Sequence, residues 1–382
     1  MIGVGELMKE FNLVATSAMG LESIVADEVK ALGYEARTEN GKVYFKGDTT
    51  VIARANMWLR VADRVRIIAG EFHAESFDDL FEGTKAIPWE DFLPVDAAFP
   101  VAGKSVKSTL YSVPDCQAIV KKAIVDRLNK AYKRTGFLSE SGPLFKLEVS
   151  ILNDKVTLTI DSSGTGLHRR GYRVGQGDAP IKETLAAALV KLTRWNPDRP
   201  FIDPLCGSGT LPIEAAMIGQ NIAPGTNRES LSEQWPWMKQ SVWDQVREEA
   251  EDLAKYDQEL SITGSDIDPR MVRIAQENAA EAGFVDLINW ETRDIQDLDI
   301  QGLNGVMASN PPYGERIGEL EEAEELTRTL GRVMKDHPSW SVYMISPLEN
   351  FETLYGKKAT KKRKLFNGFI RTDYYQFWGR RQ

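Results

Sequence analysis

From residue 200 onwards short strand-like stretches, two of them apolar runs and one alternating, stop at an acid or an amide. Phe201-Ile202 runs into Asp203, the stretch 261–265 into Asp266, the alternating stretch 288–292 into Arg293-Asp294, and Val306-Met307-Ala308 into Ser309-Asn310. Elsewhere the apolar positions recur at helical spacing. Val272, Ala275, Ala279 and Ala282 share one face, and Leu185, Leu189 and Leu192 share one face of a helix expected over 179–192. Asp268 has the placement of a helix N-cap and Pro269 of a first helical residue. Strand and helix patterns that alternate predict successive βα units in an α/β fold with an open sheet, whose ligand crevice lies at the strand C-terminal ends. A fifth strand is expected at 341–346. A closing pair at 364–370 and 373–378, turning around Arg371-Thr372, would form an antiparallel end on the sheet.

The first 165 residues have a different rhythm. A strand at 11–16, a helix at 20–32, a strand at 41–46 and a helix at 49–59 suggest a small α+β unit. A second unit from about Arg66 carries a helix at 116–134 and two strands, 145–152 and 155–161, joined by an Asn153-Asp154 turn that is a hairpin signal. A Trp-rich stretch at 235–243 opens an insertion between the first and second core strands, either covering the site or simply packing.

The strand tips carry the candidate chemistry. Asn310-Pro311-Pro312-Tyr313 follows a strand directly. The Asn310 side-chain oxygen and the Pro311 carbonyl can each accept an N–H from a planar exocyclic amine, freeing a lone pair that is otherwise delocalised. Pro311 and Pro312 fix φ and add no competing donor, and Tyr313 offers a ring to stack on. Upstream, Asp203-Pro204-Leu205-Cys206-Gly207-Ser208-Gly209-Thr210 reads as strand, glycine turn and helix. Gly207 and Gly209 permit close backbone approach to a ligand, although a plain strand–helix corner reads the same way. The turn lacks the Lys-Ser/Thr of a phosphate loop. Its Asp203 carboxylate would repel phosphate and attract a cationic amino acid, as in the methionine part of S-adenosylmethionine. Asp266 is placed to accept ribose hydroxyls, Ile267 to pack on an adenine face, and Asp294 to accept the adenine amino group; solvated acidic turns are the alternative for Asp294.

With these motifs in order, residues 170–382 resemble a class I S-adenosylmethionine-dependent methyltransferase of the amino-group type. The string 310–316, Asn-Pro-Pro-Tyr-Gly-Glu-Arg, resembles ribosomal RNA guanine-N2 methyltransferases, in particular the N-terminal half of the bacterial 23S enzyme and its stand-alone homologues in Firmicutes. Residues 9–65 and 66–163 resemble a ferredoxin-like domain and a THUMP RNA-binding domain. The resemblance implies a Rossmann-like methyltransferase domain behind two α+β modules, S-adenosylmethionine as cofactor, and N2-methylation of a guanine in 23S rRNA or a precursor particle. It implies Asn310, Pro311, Pro312 and Tyr313 at the target base. It implies Asp203, Pro204, Cys206, Gly207, Ser208, Gly209 and Thr210 around the cofactor, with Asp266, Ile267 and Asp294. Thr184 either touches the cofactor or packs. Alternatives are an amino-methyltransferase acting on DNA adenine or protein glutamine, and a non-catalytic RNA-binding assembly factor.

Composition narrows the rest. A net charge of −9 over 382 residues argues against a generally nucleic-acid-coated surface, so any RNA contact must come from local clusters. His168, Arg169, Arg170 and Arg173 make the glycine-rich joint 164–173 basic, as either a solvated linker or a phosphate-contacting one. Lys357, Lys358, Lys361, Lys362, Arg363 and Lys364 form a second cluster, and Lys121, Lys122, Arg127, Lys130, Lys133 and Arg134 a third. Two cysteines, Cys116 and Cys206, and three histidines give no zinc spacing and no disulfide framework, so no metal is expected. The acidic N-terminal stretch lacks the cationic start of a signal peptide and no apolar run reaches ~18 residues, so a cytoplasmic protein without a membrane partner is expected.

Overall fold

The computed structural model describes residues 9–177, 180–314 and 319–380. Ala179, at the head of the expected helix 179–192, and Glu315 and Arg316, in the string 310–316, lie outside the described residues. The chain forms two compact units, one of residues 1–17, 25–167 and 229–248, the other of 18–24, 168–228 and 249–382.

The first unit is built on one sheet. Along the chain come β1 (Phe11–Thr16), α1 (Glu22–Ala31), β2 (Arg37–Glu39), β3 (Lys42–Gly47), α2 (Thr49–Trp58) and β4 (Arg64–His73), then α3 (Phe77–Ala86), β5 (Val101–Val106), α4 (Val113–Ala131), β6 (Lys146–Leu152) and β7 (Lys155–Asp161). The seven strands are ordered β2-β3-β1-β4-β7-β6-β5, with only β5 parallel to its neighbour. The strand β4 pairs with β1 through its first half and with β7 through most of its length. The expected division at 65/66 therefore falls inside a strand that serves both halves of the sheet. The Asn153-Asp154 turn forms as expected, with φ of 49° and 62°, the left-handed pair that a two-residue hairpin needs. The Trp-rich stretch packs within this unit: Trp235 stacks on Phe145 at 4.7 Å between ring centroids and Trp237 on Phe11 at 5.2 Å.

The second unit holds α5 (Glu183–Leu192), β8 (Phe201–Asp203), α6 (Thr210–Gly219), β9 (Ile262–Asp266), α8 (Pro269–Glu281), β10 (Ile288–Thr292) and β11 (Val306–Ser309). After these come α9 (Glu319–Met334), β12 (Ser341–Ser346), α10 (Phe351–Tyr355), β13 (Lys361–Asn367) and β14 (Ile370–Phe377), while α7 (Gln240–Leu253) runs on from the Trp-rich stretch. The sheet order is β10-β9-β8-β11-β12-β14-β13, parallel from β10 to β12 and antiparallel beyond. Because β9 and β10 lie on one side of β8 and β11 and β12 on the other, the strand order reverses between β8 and β11. Such a switch point leaves a crevice outside the strand ends. Behind it, α9 and α10 cover an aromatic core in which Tyr355 lies 4.1 Å from Phe377 and Phe351 4.5 Å from Tyr375.

The closing hairpin turns three residues earlier than expected. Gly368, at φ 61°, and Phe369 make the turn, whereas Arg371 and Thr372 lie within β14. Only a residue tolerant of the left-handed region suits that corner, and the bulky, cationic Arg371 is better placed on a strand.

Candidate active site

Asp203 ends β8 and Asn310 follows β11, so the two flank the switch point. Ser309, the last residue of β11, donates to Asp203 Oδ1 at 2.5 Å, and the Leu205 N–H donates to the same oxygen at 3.1 Å. Asp203 is fully buried, and among the described residues no cation pairs with it. Burial raises its carboxyl to about 7, against the pull of its two donors. A carboxylate held this way is short of a positive partner.

The turn after it is shaped by two glycines. Gly207 has φ 51° and Gly209 φ 83°. A Cβ on Gly209 would stand 2.6 Å from the Trp290 ring, so this position needs glycine for space as well as for conformation. Gly209 caps α6, and the Gly207 N–H donates to Asp266 Oδ2 at 3.0 Å. Asp266 Oδ1 accepts the Asp268 N–H at 2.9 Å, and each oxygen keeps a further lone pair. Asp268 in turn caps α8 through the Arg270 N–H at 2.9 Å, with Pro269 in its first turn, as the sequence indicated.

A cavity of about 240 Å³ opens at the switch point, with Asp203, Cys206, Gly207, Ser208, Thr210 and Asn310 in its wall. Leu205, Leu211, Met271, Gly177, Pro180 and Ile181 complete the lining. The cavity unites most of the glycine turn with the strand-tip amide. Pro204, Gly209, Asp266, Ile267 and Asp294 stand outside its wall among the described residues. Ile267 is 66% exposed. Asp294 accepts two hydrogen bonds from Gln296, from the backbone N–H at 3.0 Å and from the side-chain amide at 3.1 Å, capping a short 3-10 turn. A larger hollow of about 840 Å³ lies in the first unit beside Tyr34, Arg37 and Tyr44. No strand-tip constellation faces it, so the smaller cavity is the candidate site.

The tip itself is poised. The Asn310 side-chain oxygen is buried and, among the described residues, has no hydrogen-bond partner, a costly state for an acceptor unless a ligand completes it. Pro311 is buried and Pro312 exposed. The Asn367 side chain donates to the Tyr313 hydroxyl at 2.9 Å, which ties Tyr313 to the closing hairpin.

The basic joint does not act as its composition suggests. Arg170 is buried against Glu214 of α6, with Nε–Oε1 at 3.2 Å and Nη2–Oε2 at 3.3 Å, and the Tyr172 hydroxyl donates to the same carboxylate at 3.0 Å. Arg173 turns inward to Glu183 at 2.7 Å. Neither arginine is available to phosphate, because each guanidinium is drawn to a buried carboxylate. His168 is half-buried, and Arg169 alone of the four is exposed. In the second cluster, Lys361, Lys362 and Arg363 lie on β13 with Lys364, because the strand begins three residues earlier than expected. Lys362 pairs with Glu352 at 3.0 Å, and Arg363 donates to the Gly20 carbonyl and the Ser23 hydroxyl. Lysines on an edge strand also discourage pairing with another sheet. Lys357, Lys358, Lys361 and Lys364 remain exposed. In the third cluster, Lys121 pairs with Glu140 and Arg127 with Glu90.

Sequence reading missed Ser309, which binds Asp203, and Asn278, which grips the glycine turn from outside, and it read Arg173 as a cation of the basic joint rather than as a second grip on that turn. Their side chains carry no motif, and only the fold brings them there.

A reversed parallel sheet with an acid-and-glycine turn facing an Asn-Pro-Pro-Tyr tip defines a methyltransferase. The chain belongs to the RMKL-like methyltransferase family, whose methyltransferase domain matches residues 170–376, behind an RlmL ferredoxin-like domain at 12–66 and a THUMP domain at 74–161. It is 57% identical over 374 residues to the Bacillus subtilis protein named "Putative RNA methyltransferase YpsC", covering 98% of this chain and 97% of that one. A Listeria monocytogenes protein described as a "predicted N6-adenine-specific DNA methylase" is 64% identical, with 97% of both chains covered and a TM-score of 0.94. SMU.472, described as a "putative methyltransferase complexed with SAH", is 47% identical, with coverage of 98% of this chain and 100% of that one and a TM-score of 0.95. Among the described residues no helix is long and apolar enough to cross a membrane.

Proposed function

We propose that this protein methylates the N2 amine of a guanine in RNA, within 23S rRNA or a precursor ribosomal particle, with S-adenosylmethionine as donor. The observation that carries the reading is the orphaned, buried acceptor of Asn310 in the wall of the same cavity as Asp203 and the glycine turn. The THUMP match and the name of the Bacillus subtilis relative support RNA as the substrate class.

S-adenosylmethionine supplies an electrophilic methyl group on a sulfonium. The cavity suits it, because a buried carboxylate without a cation is what an amino-acid ammonium would satisfy. Asp203 holds that end, Gly207 and Ser208 present backbone to it, and Asp266 has lone pairs left for ribose hydroxyls. The target base must leave its stack to reach a recessed tip. Asn310 and the Pro311 carbonyl then take its amine hydrogens, and Tyr313, steadied by Asn367, stacks on the ring. Positioning and electrostatics carry the rate.

The donor end sets three expectations. Asp203 must ionise to meet a cation, so affinity for S-adenosylhomocysteine, which retains the ammonium, falls as pH drops through about 7, by about one log unit per pH unit below it. Asp203→Asn flattens the profile; calorimetry between pH 5.5 and 8.5 reads it, and a flat wild-type profile contradicts the ion-pair role. The raised carboxyl has a second consequence without ligand. The folded state holds a proton that the unfolded chain has released, so this residue's contribution to stability declines as pH rises from the ordinary carboxylate range towards 7. Asp266→Ala weakens S-adenosylhomocysteine binding by on the order of tenfold or more, through the lost ribose contact and the freed Gly207 turn; normal titration of that variant removes Asp266 from the site.

The substrate is tested by tritiated methyl transfer to ribosomal RNA, DNA and protein in parallel. N2-methylguanosine in the RNA digest is the expected product. The Listeria relative's description favours a second reading, a DNA adenine methylase, and N6-methyladenine formed in DNA, with RNA unlabelled, would establish it instead.

A further inference from the structure

The inward-turned joint converges on the glycine turn. The Arg173 guanidinium donates to Glu183 Oε1 at 2.7 Å, the Ile181 carbonyl at 2.9 Å, Thr210 Oγ1 at 3.0 Å and Ser208 Oγ at 3.3 Å. One side chain thus links α5, the cavity-lining Ile181 and both hydroxyls of the turn. Asn278 grips the same turn from the other side. Its Nδ2 donates to the Ser208 carbonyl at 3.0 Å and the Gly175 carbonyl at 2.9 Å, while its Oδ1 accepts the Val174 N–H at 2.8 Å and the Gly175 N–H at 3.1 Å. Both donors and both lone pairs are used. Asn278 is buried on the inner face of α8 beside Ala275 and Ala279, where an apolar side chain would serve for packing alone. The segment it holds lies flush on that helix, since a Cβ on Gly175 would come within 2.9 Å of Ile274.

We propose that Arg173 and Asn278 are positioning residues for the methyl donor, fixing Ser208, Thr210 and the 174–177 stretch as the cavity wall. The proposal rests on the S-adenosylmethionine reading above. Neither residue lines the cavity, yet Ser208, Thr210, Ile181 and Gly177 all do, so each acts through a wall residue. A wall set before binding spares the ligand the cost of ordering it.

The experiment uses the full chain as wild type, Arg173→Lys and Asn278→Leu, titrated with S-adenosylhomocysteine and assayed on RNA. Each variant loses about tenfold or more in affinity, the scale of a charge-assisted or doubly used hydrogen bond. The KM for S-adenosylmethionine rises by the same factor, while kcat at saturating donor stays within about twofold. Arg173→Lys keeps a cation for Glu183, so it retains the test if Asn278→Leu does not fold. Wild-type affinity in a folded variant, or a fall in kcat with KM unchanged, overturns the positioning role. A wild type that binds no S-adenosylhomocysteine overturns the functional reading itself; a wild type that binds beside variants that bind equally well overturns only the positioning role.

Discussion

Asn310→Ala loses about a hundred- to a thousandfold in kcat while binding S-adenosylhomocysteine as well as the wild type. The magnitude is that of removing one preorganised hydrogen-bond partner from a reacting centre. The split follows from the geometry. Asn310 follows β11, whereas Asp203 ends β8 and the glycine turn follows it, and among the described residues the Asn310 side-chain oxygen has no hydrogen-bond partner. Removing it therefore costs no hydrogen bond to that oxygen among the described residues, and the melting temperature should stay nearly unchanged. An exocyclic amine whose lone pair is delocalised then loses one of the two acceptors that draw it out of the plane. Single-turnover methyl transfer with saturating donor is the measurement. Activity within about threefold of wild type would take Asn310 out of the chemistry, since no contact worth less than ~1 kcal/mol can be the activating one.

Glu214→Ala destabilises the protein by about 3–5 kcal/mol, the range for taking one partner from a buried ion pair. Glu214 and the Arg170 side chain are both almost wholly buried, and the Tyr172 hydroxyl rests on the same carboxylate. The variant strips a buried guanidinium of its carboxylate and a buried phenol of its acceptor together. For a unit of this size the melting temperature falls by on the order of 10 °C. An Arg170→Met/Glu214→Leu double variant should recover much of that, because the charge that needed a partner is gone as well. A Glu214→Ala variant as stable as wild type would show that water or local rearrangement replaces the carboxylate, and the joint 168–175 would not be the fixed element described.

The parts of the fold that were legible in the sequence are those decided locally. The central strands β8 and β11 are short apolar runs closed by a polar residue, and Asp268-Pro269 caps its helix as that dipeptide does elsewhere. The Asn153-Asp154 hairpin needs only its own two residues. That Asp203, Gly207, Ser208 and Asn310 share one cavity wall was legible because strand ends of successive βα units must meet at the switch point. What could not be read depends on distant partners. Arg170 and Arg173 look like surface cations until Glu214 and Glu183 are brought beside them. Asn278 is an unmarked helix residue until the glycine turn lies across it. Lys361 to Arg363 read as loop ahead of a strand, and only pairing with β14 places them on it. Nor does composition show that β4 joins the two N-terminal modules in one sheet, because a ten-residue strand can pair with different neighbours along its length.

The central claim is that Asn310 activates a guanine amine of ribosomal RNA. Mass spectrometry of ribosomal RNA nucleosides from a strain lacking this protein tests it most directly, with the strain complemented by wild type or by Asn310→Ala. The account predicts a deficit of N2-methylguanosine that wild type restores and Asn310→Ala does not. An unchanged N2-methylguanosine content in the deletion strain, or full restoration by Asn310→Ala, would contradict it.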